Sequence, residues 1–189
     1  MTCAWLEDIR RCSGKLSLKG AVHAFFDNYG LQALLGYRLG RWLLRTRARP
    51  WLWPVWPVGW PLYFLISRYV RVAFDIRLEL SADIGPGFYI GHFGGIVLRR
   101  CQIGTHCSIS QSVQIAPEAR SNSQGPRLGD RVWVGAHAKI IGTHQIGTGS
   151  TVSAGSVVKR DIPERTLCMG NPARVVMRDY DNSVILGVA

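Results

Sequence analysis

From Ile84 to Pro163 the chain repeats with a step of six. Aliphatic residues recur at Ile84, Ile90 and Ile96, then Ile103, Ile109 and Ile115, then Leu128, Val134, Ile140, Ile146, Val152 and Val158. A small residue commonly follows, as at Gly85, Gly91, Gly104, Ser110, Ala116, Gly129, Gly135, Gly147 and Ser153. Another small or Val side chain often stands four places on, as at Gly94, Cys107, Val113, Val132, Ala138, Ser150 and Ser156. Hexapeptide periodicity of this kind specifies a parallel β-helix. Each hexad forms one short flat side, three sides make a coil, and the aliphatic points inward. Twelve hexads predict four coils stacked at the strand spacing of about 4.8 Å.

The step of six fails twice. Ile96 to Ile103 is seven residues, which predicts one extra residue near Arg100 and Cys101. Ile115 to Leu128 is thirteen, and the turn-forming run Ser121–Pro126 inside it predicts a loop thrown out from a corner.

Three regions follow: a helical, membrane-associating portion over residues 1–73, the β-helix over 74–177, and a frayed tail over 178–189. Residues 1–20 read as a short helix or loose start. Residues 21–47 read as helical, with Leu31, Leu34, Leu35, Leu39, Trp42 and Leu43 at steps of three and four; Gly30, Gly36 and Gly40 interrupt that pattern. Pro50–Ser67 is apolar, uncharged and rich in Trp and Pro, with arginines on both sides. It is short for a spanning helix, and Pro54, Pro57 and Pro61 disfavour a continuous helix. A segment lying on a membrane face accounts for it, and packing against protein is the competing reading. Phe74–Ala82 reads as an extended lead-in to the first coil.

Of the net charge of +11, residues 1–80 carry +7, from 12 Lys/Arg against 5 Asp/Glu. No zinc-finger spacing, RNP-like aromatic pattern or basic heptad accompanies the charge, which argues for anionic lipid or phosphorylated ligands over nucleic acid. Five scattered cysteines suit a reducing compartment. No signal peptide is legible, so a cytoplasmic location, peripheral at the inner membrane face, is expected.

The register sorts four histidines. His106 falls on the first flat side, His92 and His137 on the second, and His144 on the third. They do not converge on one groove, so no metal centre is expected. On the second side, the positions two after each aliphatic are His92, Gln111, Ala136 and Ala154. They stack into a column with an imidazole and an amide at one end and small side chains beyond. Glycines at 91, 94, 95, 135 and 155 open the column to a thin ligand. His92 suits a general base that takes a proton from a hydroxyl as the oxygen attacks a thioester. A backbone N–H or the Gln111 amide would stabilise the oxyanion.

The segment Ile84-Gly85-Pro86-Gly87-Phe88-Tyr89-Ile90-Gly91-His92-Phe93-Gly94-Gly95-Ile96-Val97 resembles the catalytic segment of serine acetyltransferases, within the hexapeptide-repeat acyltransferases. It resembles still more their relatives from colanic acid and other exopolysaccharide clusters. Ser110-Gln111-Ser112-Val113, Val134–Ile140 and Gly170-Asn171-Pro172-Ala173-Arg174 carry the likeness on, over about residues 74–176. The resemblance implies a mainly β, left-handed parallel β-helix that assembles as a homotrimer, with acetyl-CoA lying between neighbouring coils. It implies His92 as catalytic base, donor contacts from Gly135, Ala136, Ala154 and Gly155, and Lys159 and Arg174 as partners of the CoA phosphates.

The chain also departs from that family. Its Asp directly before the catalytic His is here Gly91. Aligned on Ile84-Gly85, the Asp and His of its Asp-Ile-His-Pro segment fall on Arg77 and Glu79, and its second active-site His falls near Gly125. Asp83 and Glu79 remain as groups to orient His92. The expected activity is therefore O-acetylation of a saccharide or polysaccharide precursor from acetyl-CoA. Serine acetylation in cysteine synthesis, a non-catalytic scaffold, and an acyl-carrier-protein-dependent transferase are the alternatives.

Overall fold

The computed structural model describes residues 4–14, 18–47, 49–119 and 124–187. The hexapeptide region winds into a parallel β-helix with three flat sides. One side stacks Ile76–Leu78, Ile96–Leu98, Gln114–Ala116, Lys139–Ile141 and Val157–Val158. A second stacks Asp83–Ile84, Gln102–Ile103, Arg127–Leu128 and Gln145–Ile146, with Ile162 bridged to Ile146 above them. The third stacks Tyr89–Ile90, Ser108–Ile109, Trp133–Val134, Thr151–Val152 and Leu167–Met169, and Arg174–Met177 closes it antiparallel. The solenoid has about five turns where the hexads predict four. Ile76–Leu78 pairs beneath Ile96–Leu98 and so adds a strand ahead of the first hexad, and Ile162 and Cys168 continue the inward ladders above the last.

The ladder residues are buried on all three sides. Each buried aliphatic contributes about 1.5–3 kcal/mol, so the stack supports itself through side chains one coil apart. At one corner Gly85, Gly104 and Gly129 lie over one another, and a Cβ on Gly104 would stand 2.6 Å from the Gly129 carbonyl carbon. That crowding is why the residue after the aliphatic is so often glycine there.

The first irregular step is not where the hexad count puts it. Leu98, not Ile96, pairs with Ile115. The chain therefore takes eight residues from Ile90 to Leu98 and five from Leu98 to Ile103. The surplus lies in the His92–Gly95 loop rather than at Arg100-Cys101. Ile96 and Leu98 both point inward, as alternate residues of one strand do, so six-residue counting cannot choose between them. Of the longer loop, Ser121, Asn122 and Ser123 lie outside the described residues.

Four helices precede the coil: α1 (Ala4–Ser13), α2 (Leu18–Asp27), α3 (Tyr29–Thr46) and, after a 3-10 turn over Pro50–Val55, α4 (Trp56–Phe74). The stretch 21–47 is thus two helices, split where the Asn28 side chain accepts the Leu31 N–H at 3.0 Å as an N-cap. The interrupting glycines let α3 approach its neighbours. A Cβ at Gly30 would meet Ile90 at 2.5 Å, at Gly36 Ile66 at 2.7 Å, and at Gly40 Tyr63 at 2.5 Å. The prolines do not prevent α4: Pro57 sits in its first turn, where N–H groups are unbonded anyway, and Pro61 lies inside it. Among the described residues no helix is long and apolar enough to cross a membrane.

The expected frayed tail is docked over part of its length. Asn182 Nδ2 donates to the Arg131 carbonyl at 2.9 Å, and α5 (Ser183–Leu186) buries Leu186. Polar anchoring at its base, rather than any apolar periodicity, holds this segment.

Candidate functional site

His92 stands near the N-terminal end of the third side. Register pairs Ile90 with Ile109, Ile109 with Val134, and Val134 with Val152. Two residues beyond each lie His92, Gln111, Ala136 and Ala154. The last three share one column running across the coils, but Ser112 N–H donates to Gly94 O at 2.7 Å, so Gly94 takes the place beneath Gln111 and His92 stands in the surplus loop beside the column rather than in it. Main-chain bonds hold it: Gly91 N–H donates to Ile109 O at 2.9 Å, His137 N–H to Gln111 O at 3.0 Å, and Gly155 N–H to Ala136 O at 2.7 Å. Gly135 is buried, and a Cβ there would stand 2.5 Å from Ala154 N. His92 and Ala154 are exposed; Gln111 and Ala136 are half-buried.

The His92 side chain has no hydrogen bond or ion pair with any described residue, and faces outward from the single chain. Its loop, by contrast, is held. Gly94 N–H donates to Phe74 O at 3.0 Å, Ile96 N–H to Asp75 O at 3.1 Å, and Gly95 N–H to Asp75 Oδ2 at 3.1 Å. Gly94 and Gly95 adopt φ of 100° and 66°, a region costly for side-chain-bearing residues. Phe93 packs edge-on against Tyr29, with ring centres 5.1 Å apart.

Asp75 is the carboxylate that sequence alignment overlooks. Ungapped alignment on Ile84-Gly85 sets Arg77 against the family Asp, two residues past Asp75. The signal was present: Asp75-Ile76 stands one full coil before Gly95-Ile96. The orienting groups expected instead are engaged elsewhere. Asp83 pairs with Arg41 at 2.5 Å and Glu79 with Arg99 at 2.7 Å.

Gln111 carries the second informative feature. Its Oε1 is buried and has no hydrogen-bond partner among the described residues. A buried amide oxygen without a donor is unfavourable by about 1–3 kcal/mol, which favours a turn of the Gln111 side chain towards the surface.

The remaining predicted residues are more dispersed. Lys159 is exposed and lines a cleft with Glu118, Ile141, Thr143 and His144 on a different side of the coil. Arg174 is exposed on the closing strand, and Ala173 N–H donates to Val157 O at 2.8 Å, which brings that strand towards the Lys159 segment. His106 and His137 occupy corner turns at φ of 56° and 61°. His144 Nδ1 lies 3.8 Å from an Asp161 oxygen. Among the described residues no group of three or more His, Cys, Asp or Glu is arranged to hold a metal ion.

This solenoid has counterparts. The chain is 35% identical over 151 residues to the serine acetyltransferase of Synechococcus elongatus and 34% identical over 149 residues to that of Escherichia coli K12. The alignments take in 79% and 78% of the chain. The soybean serine acetyltransferase structure complexed with serine superposes with a TM-score of 0.74 at 30% identity, over 92% of this chain and 68% of that one. The chain belongs to the serine acetyltransferase-like hexapeptide-repeat acyltransferases. It spans 57% and 50% of the lengths of the two bacterial relatives, so the family is matched through the coil and adjoining helices and not through the whole of those proteins. No protein-family model matches the chain.

Proposed function

We propose that this family member is an acetyl-CoA-dependent O-acetyltransferase, with L-serine as acceptor and His92 as the general base. The observation that carries the reading is the loop that presents an exposed His92 just past the Ile90–Ile109 pair, next to the corner column that begins at Gln111, on a coil shared with serine acetyltransferases. The His92 imidazole takes the hydroxyl proton as the acceptor oxygen attacks the thioester carbonyl carbon. The new C–O bond forms, and the oxyanion accepts hydrogen bonds from the open Gln111 amide N–H or a backbone N–H. Collapse breaks the C–S bond, and the thiolate leaves with the proton held on His92. A pantetheine amide N–H passing along the column satisfies Gln111 Oε1 once that side chain turns outward. An exposed His92 suits a site completed by a neighbouring subunit, with the donor in the seam of a trimer.

Serine replaces the saccharide expected from the sequence because the relatives named above are serine acetyltransferases, and the soybean structure was obtained with serine. The saccharide reading keeps one specific observation in its favour: Gly91 precedes the base where those enzymes have an acid, and Asp83 and Glu79 are occupied by arginines. Purified protein given acetyl-CoA and either L-serine or a panel of sugars decides the acceptor. Rapid CoA release with serine supports the proposal. Release only with a sugar returns the acceptor to the saccharide class, and release with neither, at a concentration where acetyl-CoA binds, overturns the transferase reading for both.

A further inference from the structure

We propose that the outer face of the 3-10 turn and α4 is a docking surface for an anionic lipid membrane, independently of which alcohol the enzyme acetylates. Helix α4 is apolar on two sides. Inward, Gly59 lies against Leu43, Ile66 lies against Gly36, and Val70 is buried. Outward, Val58, Leu62, Leu65, Tyr69 and Val72 recur at steps of four, three, four and three, and all are exposed. Val58 is 70% exposed, Phe64 65% and Leu65 64%; in the preceding turn Trp51 is 72% exposed and Trp53 60%. An apolar face of this extent, left to water, marks an interaction surface.

The charge around the stripe selects its occupant. Residues 28–74 contain seven arginines and no acidic residue. Arg38 and Arg41 are taken up by Asp8 and Asp83. Arg45, Arg47, Arg49, Arg68 and Arg71 are exposed and form no ion pair with a described residue. A second copy offering the same face would set arginine against arginine, with no carboxylate from these segments to offset them. Lipid phosphates supply the missing anions, and Trp and Tyr favour the headgroup layer. Since no described helix can span a bilayer, α4 lies in the interface plane, apolar stripe down, as amphipathic surface helices do. The face ends beside the catalytic loop: Tyr69 stacks edge-on to Phe74 with ring centres 5.4 Å apart, Phe74 meets Phe93 at 6.2 Å, and Phe93 follows His92.

Sedimentation of the full chain with vesicles tests this, using phosphatidylcholine alone and phosphatidylcholine with roughly one-third phosphatidylserine. The protein is expected to pellet with the anionic vesicles, to stay in solution with the neutral ones, and to be released as salt rises. Each arginine neutralised should weaken binding about fivefold, so Arg45→Gln/Arg49→Gln/Arg68→Gln together should weaken it about 100-fold. Phe64→Ser/Leu65→Ser should weaken binding at least about tenfold without changing the melting temperature, since both side chains lie outside the core. No binding to anionic vesicles at low salt overturns the proposal, as does equal binding by the variants. If Phe64→Ser/Leu65→Ser lowers the assembly mass in solution while vesicles are ignored, the face belongs to a second copy and the proposal falls. Loss of acetyl transfer alone bears only on the preceding section, because binding is read without substrate.

Discussion

The Arg38 guanidinium donates to both carboxylate oxygens of Asp8, at 2.9 and 3.4 Å, with both side chains buried. The same guanidinium donates to the carbonyls of Ile84 and Gly85 at 2.5 and 2.6 Å, while Asp8 accepts the Phe88 N–H at 3.1 Å. One ion pair thereby ties α1 and α3 to the first coil. Burial pushes the Asp8 carboxyl above its ordinary range, and the Arg38 hydrogen bond and charge pull it back.

Removing one partner leaves the other charge buried and alone. Asp8→Ala is expected to destabilise the protein by about 3–5 kcal/mol, read as a lower urea midpoint. Asp8→Leu/Arg38→Met, which removes both charges, is expected to cost clearly less than either single change.

His92→Ala is expected to lower kcat for acetyl transfer by about 10²–10⁴-fold. Because the ring is exposed and makes no hydrogen bond or ion pair with a described residue, the melting temperature and acetyl-CoA binding should be unchanged. Steady-state kinetics beside a thermal-shift titration with acetyl-CoA separates the two effects.

Asp75 holds the loop that carries His92, through the Gly95 and Ile96 N–H groups. Asp75→Ala removes the acceptor of the Gly95 N–H, and misplacing a base by about 1 Å costs up to about 100-fold in rate. The expected signature is a fall in kcat of roughly 10–100-fold with little change in the acetyl-CoA KM.

Gly135→Val should disrupt the column without touching His92. Its Cβ would lie 2.5 Å from Ala154 N and 2.9 Å from the Trp133 ring. Overpacking of this kind costs about 1–3 kcal/mol, so a lower melting temperature together with weaker acetyl-CoA binding is expected.

The four thiols among the described residues should be inert in the folded protein. Burial pushes Cys12 and Cys168 up to about 11 and Cys101 and Cys107 up to about 12. At pH 8 this leaves roughly 100-fold or more less thiolate than an ordinary cysteine. Iodoacetamide should label these four slowly in buffer and rapidly in denaturant, as peptide mass analysis would read.

The coil was legible because each strand contributes one inward aliphatic at the same place on every turn, and that periodicity survives in a one-dimensional string. The Gln111–Ala136–Ala154 column was legible for the same reason, whereas counting set His92 in it where the structure sets Gly94, because the surplus of that turn falls in the His92–Gly95 loop. The helices were harder. Gly30, Gly36 and Gly40 weaken α3 by local propensity, yet each is where a neighbour comes within 3 Å of a hypothetical Cβ. Pro61 argues against a helix that packing nonetheless completes.

What the sequence by itself determined is the solenoid, its inward ladders and the side after which His92 stands, because these follow from a repeat whose period matches the geometry of one flat face. Only the tertiary structure decided that Leu98 rather than Ile96 continues the ladder, that Asp75 grips the loop of the base, and that the Gln111 oxygen waits without a donor. It alone decided that α4 leaves a second apolar face uncovered. Each of these depends on what lies one coil or one helix away in space, and packing between such distant residues overrides any rule counted along the chain.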